Sequence, residues 1–312
     1  MRFNVISVSG GKDSLATWLL ALEREPRESI RPVFADTGNE HELTYEYLTY
    51  LEGALDMPIV RLRRSFAEEI AARRMFVARD QRVGRRNGRL VRHTNKAKRR
   101  ILAALRPTGN PYLDLCLWKG RFPARKMQFC TQFLKTEPLV EYQLGLIDQG
   151  NEVWSWQGMR AEESPNRANL AEHEEVGGGL WNHRPIHKLT AEQVFAIAAR
   201  HGIKPNPLYT MGMSRVGCMP CINAAKAEVL EISSRFPDHI ERINSWEESV
   251  GQCSKRNQAS FFPDPDRDAH LNKRGIYNVV EWSKTTRGGR QFNLLTAANE
   301  PGHCSSSYGL CE

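Results

Sequence analysis

The sequence predicts an α/β fold, a doubly wound parallel sheet. Short apolar runs of strand length alternate with segments of helical period, and the first such run passes through a Gly-Gly turn straight into a helix. Phe3 to Val8 is the first strand, and Leu15, Trp18, Leu19 and Leu22 recur at helical spacing after it. Pro32 to Ala35 is a second strand, ending at Asp36-Thr37-Gly38, with Leu43 to Leu51 as the next helix and Pro58 to Leu62 as a third strand. In such a sheet, ligands sit at the carboxyl ends of the strands.

A basic segment then interrupts the rhythm. Arg61 to Arg106 holds sixteen Lys and Arg against three acids, a local charge of +13 in a chain whose total is +8, so the remainder is mildly acidic. Its middle, Gly84 to Lys98, reads as a loop, with Ile101 to Leu105 as part of a short helix. The pattern resumes with Glu137 to Leu146 as helix, Val153 to Gln157 as strand and Thr190 to His201 as a helix capped by Thr190 and Gln193. Ala224 to Ser249 is helical with a break at Pro237, and Gln252 to Glu312 is expected to be loop-rich. The expected organisation is a nucleotide-binding domain over 1–215, with a basic insertion at about 63–106, and a cysteine-containing helical and loop-rich region over 216–312.

Composition narrows the class. The 312 residues, 40% hydrophobic and 26% charged, suit one large or two modest globular domains. The start has no basic leader or long apolar stretch, so neither a signal peptide nor a membrane span is expected. Seven cysteines, an odd number without framework-like spacing, argue against a secreted disulfide scaffold and for a reducing, cytoplasmic setting.

The strongest chemical signal is Ser9-Gly10-Gly11-Lys12-Asp13-Ser14 at the first strand-to-helix junction. Glycines let backbone approach a phosphate, the helix amino terminus offers unpaired N–H groups, and Lys12 adds a cation. The spacing fits neither the Walker loop nor the dinucleotide fingerprint. A mere tight turn is the plain alternative.

This SGGKDS stretch resembles the PP-loop of ATP pyrophosphatases, and further motifs in order resemble the phosphoadenosine phosphosulfate (PAPS) reductase branch of that superfamily. They are Asp36-Thr37-Gly38 with Thr44-Tyr45-Glu46-Tyr47, Cys130 through Lys135 to Glu137-Pro138-Leu139, and Gly158-Met159-Arg160-Ala161-Glu162-Glu163-Ser164 with Arg167. Arg184-Pro185-Ile186, Asn206-Pro207-Leu208-Tyr209 and Arg215 through Cys218 to Cys221 complete the series, so about residues 3 to 240 are covered. The resemblance implies an adenine nucleotide alpha hydrolase-like, Rossmann-like fold. It implies a nucleotide held by Ser7, Ser9, Gly10, Gly11, Lys12, Asp13, Ser14, Asp36, Thr37, Gly38, Gly158, Arg160, Glu163 and Arg167, with Lys12, Asp13 and Arg160 as catalytic groups. Reductase loops usually lack the lysine, whereas adenylating members use it to hold departing pyrophosphate. Retention of Lys12 therefore favours ATP, with Mg2+ on its phosphates. Asp13 either helps hold that ion or simply satisfies the helix dipole.

The cysteines supply a second theme. Cys218 and Cys221 form a CxxC, and Cys130 occupies the thiolate position of the resembling family. Soft thiolates from separated elements suit an iron-sulfur cluster, of the 4Fe-4S kind, with zinc as runner-up. Family reductases carry a double cysteine where this chain has Cys130-Thr131. Either Cys253, Cys304 or Cys311 supplies a fourth ligand, or one iron stays open to carry sulfide. Cys116 reads as a small buried hydrophobe.

The basic segment suits a polyanion, so Arg85, Arg86, Arg89, Arg92, Lys96, Lys98, Arg99 and Arg100 are candidate nucleic-acid contacts, against the alternative of a solvated loop. Trp118, Phe122 and Phe129 either stack bases or belong to the core, and Trp154, Trp156 and Trp181 are packing residues. Three functions follow. The first is an ATP-dependent sulfurtransferase acting on nucleic acid, resembling DNA phosphorothioation and tRNA thiolation enzymes and fed by a sulfur donor such as a cysteine desulfurase. The second is a thioredoxin-linked reductase of adenylyl sulfate or its 3′-phosphate, using a tail cysteine. The third is a nucleic-acid-binding regulator that uses nucleotide and cluster as sensors.

Overall fold

The computed structural model describes residues 1–81, 85, 86, 89, 90, 93–163, 165–263, 265 and 275–286. The expected α/β sheet is present. Strands β1 (Arg2–Val8), β2 (Ile30–Ala35) and β3 (Val60–Leu62) alternate with helices α1 (Lys12–Arg24) and α2 (Glu42–Leu55). An excursion follows: α3 (Ala67–Arg79), a two-stranded ribbon of β4 (Arg85–Arg86) and β5 (Arg89–Leu90), α4 (Asn95–Ala104) and α5 (Pro111–Lys119). Next come α6 (Phe129–Thr131) with a π-helical turn over Gln132–Thr136, α7 (Glu137–Ile147), β6 (Glu152–Trp156), α8 (Pro165–Ala168) and the hairpin β7 (His173–Gly177) and β8 (Leu180–His183). Helices α9 (Ala191–Arg200), α10 (Lys226–Arg235), α11 (Pro237–Cys253) and α12 (Ile276–Ser283) close the described chain.

The main sheet runs β3-β2-β1-β6-β8-β7. Five of its strands are parallel and only the edge strand β7 is antiparallel, paired to β8. Alternation along β1 sends Ile6 and Val8 to a core shared with α1, α2 and α9, and Val5 to the opposite face with Val33 and Val153, under α7. A separate and larger core joins α3, α4 and α5 to α10, α11 and α12. The helices of the basic segment therefore pack with the C-terminal helices rather than on the sheet.

Two local readings are corrected. Helix α4 starts inside the stretch expected as loop, because Thr94 accepts the Ala97 N–H as a cap and Ala97 and Ile101 are buried. The C-terminal stretch is not wholly loop, since Ile276, Val279 and Val280 bury one side of α12. Phe122 and Phe129 lie in the core, with Trp118 packed against it, so none of the three is a base-stacking platform. Among the described residues no helix is long and apolar enough to cross a membrane.

Candidate nucleotide and thiol site

The first βα turn is built as a cup. Gly10 adopts φ 74°, and Gly11 caps α1 with no side chain of its own. The Ser9 N–H donates to Ser14 Oγ at 3.1 Å, and Ser14 Oγ donates to the Gly11 carbonyl at 2.9 Å. Gly158, just beyond β6, lies so close that a Cβ there would meet the Asp13 carbonyl group at 2.9 Å. That approach delivers Arg160 to the amino end of α1. Its Nε donates to Asp13 Oδ1 at 2.5 Å, while Lys12 Nζ sits 3.3 Å from Asp13 Oδ2. Lys12 and Arg160 are both buried, at 8% and 4% exposure. Two buried cations and a helix terminus thus converge on one half-buried carboxylate.

Around this pair, Arg160 also binds Glu162, its backbone N–H donates to Glu163 Oε2 at 3.2 Å, and Arg167 binds Glu163. Ser164 lies outside the described residues. Ser7 is half-buried on the β1 face of Val5, beneath rather than within the turn. The structure therefore brings together Ser9, Gly10, Gly11, Lys12, Asp13, Ser14, Gly158, Arg160, Glu163 and Arg167. Asp13 spends both oxygens on cations, an arrangement that suits an organiser of the cup.

The Asp36-Thr37-Gly38 turn does something else. Asp36 accepts from Tyr45 Oη at 2.8 Å, from the Gly38 N–H at 2.9 Å and from Arg63 at 2.6 Å. Gly38 (φ 75°) receives Asn110 Nδ2 on its carbonyl at 2.6 Å, and a Cβ would strike Pro111 at 2.8 Å. Thr37 Oγ1 lies 3.4 Å from Cys218 Sγ and 2.7 Å from Glu40 Oε1. Glu40 and Cys218 form an antiparallel bridge, and the Met219 N–H donates to the Asn39 carbonyl at 2.7 Å. This turn links the end of β2 to the CxxC.

Cys130, Cys218 and Cys221 share one neighbour, Lys135. Cys218 first, then Glu40, Cys221 and Cys130, raise the Lys135 pKa against its burial and keep it charged. Burial pushes the Cys218 thiol up to about 12, with Glu40 and Cys221 adding to the effect and Lys135 and Thr37 opposing it. Cys130 is likewise raised by burial and by Cys221. Fully buried Cys116 lies within electrostatic reach of Cys130, and burial, followed by these four cysteines, raises the pKa of the Tyr112 hydroxyl. Cys253 is elsewhere, facing Arg73 and Arg100, while Cys304 and Cys311 lie outside the described residues. Soft donors gathered around a half-buried lysine suit an anionic thiolate-bound group.

Several candidate nucleic-acid contacts have other employment. Lys98 donates to the Asp80 carbonyl that follows α3, and Arg100 reaches the Gln252 and Ser254 carbonyls at the end of α11 at 3.0 and 2.6 Å. Arg73 and Arg74 similarly bind carbonyls at the ends of α5, α11 and α4. These cations complete helix C-termini, where orphan carbonyls concentrate. Lys96 and Arg99 are exposed. Arg92 and the side chains of Arg85, Arg86 and Arg89 lie outside the described residues.

Sequence reasoning assigned no role to Tyr209, Lys135 or Glu40. Tyr209 and Lys135 sit inside motifs that were recognisable, but Glu40 carries no motif signal; its place depends on the bridge to Cys218.

Residues 4–224 match the family model of the phosphoadenosine phosphosulfate reductase domain. The chain belongs to this family. A 37.8 kDa protein in the gpa 5′ region of Escherichia phage 186 is 47% identical over 99% of this chain and 96% of its own length. The adenosine 5′-phosphosulfate reductase of Streptomyces coelicolor is 36% identical over 31% of this chain and 39% of its own. A phosphoadenylyl-sulfate reductase from Candida auris, solved as a phosphate complex, is 17% identical, covers 70% of this chain and 82% of its own, and superposes with a TM-score of 0.40. As a PAPS reductase family member, the chain belongs to a group that handles adenine nucleotides, and the Lys12–Arg160 cup is where its own sequence concentrates cations at a helix terminus.

Proposed function

We propose that this member of the family is an ATP-dependent sulfur-transfer enzyme that adenylates a nucleic-acid substrate and replaces an oxygen by sulfur. The observation that carries the reading is the convergence of Lys12 and Arg160 on the amino end of α1. An entering polyphosphate takes over the cations that Asp13 otherwise holds, and Mg2+ arrives with it. A substrate oxygen attacks the α-phosphorus, pyrophosphate leaves under stabilisation by Lys12 and Arg160, and sulfur then displaces AMP. Cys130, Cys218 and Cys221 would hold an iron-sulfur cluster, which when bound supplies a site for activated sulfur. Lys135 offsets the negative charge that three thiolates bring. Zinc is the weaker fit: tetrahedral Zn–S bonds of about 2.3 Å need sulfurs about 4 Å apart, and the three thiols are not among the donor groups lying within 4.8 Å of one another. Exposed Lys96 and Arg99 on α4 are the described groups offered to nucleic-acid phosphates, with a cysteine desulfurase as one source of sulfur.

Pyrophosphate release from ATP in the presence of DNA or RNA tests the proposal. Lys12→Ala is expected to slow it by about a hundredfold, the scale of removing one preorganised charge-stabilising donor. ATP turnover that ignores this substitution sinks the reading. A second reading, reduction of adenylyl sulfate or its 3′-phosphate with thioredoxin, is favoured by the similarity to the Streptomyces coelicolor reductase over about a third of the chain. Sulfite release without pyrophosphate release selects it. DNA or RNA binding with neither turnover selects the regulator instead.

A further inference from the structure

A second group of metal-ligating side chains lies at the opposite edge of the sheet from β3, on the β7–β8 hairpin. His173 and His183 are directly opposed in the antiparallel register, and their rings stack with centroids 4.4 Å apart and planes 9° from parallel. Glu172 precedes β7, with Oε1 3.9 Å from His173 Nε2. One donor atom from each of Glu172, His173 and His183 lies within 4.8 Å of the other two.

His183 is only 4% exposed, yet its buried Nδ1 has no hydrogen-bond partner. Buried polar atoms without partners are rare and cost about 1–3 kcal/mol, so each one needs a cause. Trp156 meets the His183 ring edge-on at 4.3 Å and Trp154 flanks both imidazoles, so apolar rings line the site, with the Glu172 backbone as a neighbouring hydrogen-bonding group. A contrasting group, His41, Glu42 and His239, is equally close-set. Three of its four ring nitrogens are occupied: His41 Nδ1 accepts the Leu43 N–H at 3.0 Å, His239 Nδ1 faces Arg242 at 2.8 Å, and His239 Nε2 faces Glu42 at 3.2 Å. Hydrogen bonds account for most of that group's nitrogens, whereas the buried His183 Nδ1 has no partner in the hairpin group.

We propose that Glu172, His173 and His183 form a site for a divalent transition metal of the zinc type. Two imidazoles and one carboxylate are a borderline donor set, suited to zinc and its neighbours and unsuited to calcium or magnesium, which take oxygen ligands. Nitrogen–metal distances of about 2.1 Å require the donors to close in from their present spacing. Side-chain rotation of exposed Glu172 and His173 provides that movement, and water fills the remaining coordination.

The location gives such an ion a structural task. β7 is exposed along its whole length and pairs on one side only. It follows the segment that descends from Arg160, Glu163 and Arg167, and the strand after it leads to His187, whose Nε2 is 2.7 Å from the Arg167 carbonyl. A metal bridging β7 and β8 clips both ends of this segment to the sheet, close to the phosphate cup but outside it.

The test is titration of the full chain with Co2+ under anaerobic conditions, read by visible absorption and by thermal unfolding. Histidine-carboxylate coordination gives weak d–d bands without the intense sulfur-to-metal charge transfer that binding at the cysteines would add. Wild type is expected to take up one equivalent with the sulfur-free signature and to unfold at higher temperature. His173→Ala and Glu172→Gln change exposed side chains and should fold normally, but their affinity for that equivalent should fall by on the order of a hundredfold. His183→Gln serves as a third variant. Binding of Co2+ solely with the sulfur signature overturns the proposal, and so does an unchanged sulfur-free equivalent in His173→Ala.

Discussion

The hydroxyl of Tyr209 accepts the backbone N–H of Lys12 at 2.9 Å, and the Lys12 ammonium lies 5.6 Å from the centroid of the same ring. One buried tyrosine therefore supports the main chain and the side chain of the key loop residue. Tyr209→Phe keeps the ring but leaves a buried donor unpaired, and should cost about 1–3 kcal/mol in urea unfolding. An unchanged midpoint would show that the hydroxyl is dispensable.

Gly158 is required by proximity. A methyl group there meets backbone atoms of Asp13 at 2.9 Å and the Ser14 nitrogen at 3.1 Å, none of which belongs to a flexible side chain. Gly158→Ala should separate Arg160 from α1 and weaken ATP binding by at least about tenfold, a loss of roughly 1.4 kcal/mol, with circular dichroism little altered. Calorimetric titration with ATP decides it.

The basic segment divides into two classes of cation. Arg73 binds the Leu117 carbonyl at 2.8 Å and that of Cys253 at 3.0 Å, joining α3 to the ends of two other helices. Arg73→Ala should lower stability by about 2–3 kcal/mol, because charge-assisted bonds and packing vanish together. Nucleic-acid affinity of the folded variant should be unchanged. Lys96→Glu with Arg99→Glu should do the reverse, leaving the unfolding midpoint in place and flattening the salt dependence of DNA or RNA binding. Filter binding across a salt series separates the two.

Burial pushes the Cys253 thiol to about 11, against the opposing pull of Arg73 and Arg100. The thiolate is the reactive form, so Cys253 should resist iodoacetamide at pH 8 and react faster by about tenfold per pH unit as its folded pKa is approached from below. Peptide mass spectrometry after timed alkylation checks this. Rapid labelling of native Cys253 at pH 8 would contradict it.

Much of the sheet could be read from residue spacing, since Phe3 to Val8, Pro32 to Ala35 and Val153 to Gln157 are buried strands bounded by turn residues. The turn at the amino end of α1 was legible for the same local reason: Gly10, Gly11 and Lys12 are consecutive, and Arg160 lies in a recognisable motif. Helix α3 is hidden in the sequence because arginines dilute its amphipathic signal, and α5 because its nearly continuous buried run from Pro111 to Leu117 shows no helical period. Those arginines looked like a polyanion surface because sequence shows charge but not the carbonyls it meets. The Thr37–Cys218 and Glu40–Cys218 contacts join residues about 180 positions apart, beyond the reach of any periodicity.

The first βα turn rests on the core of α1, α2 and α9, whereas the thiols rest on the core of α5 and α10 to α12. The Glu40–Cys218 bridge is a rivet between these two bodies. The spacing between the first βα turn and the thiols is consequently set by how these two cores meet, so a substitution that loosens the Glu40–Cys218 seam should shift one set of side chains against the other without unfolding either core.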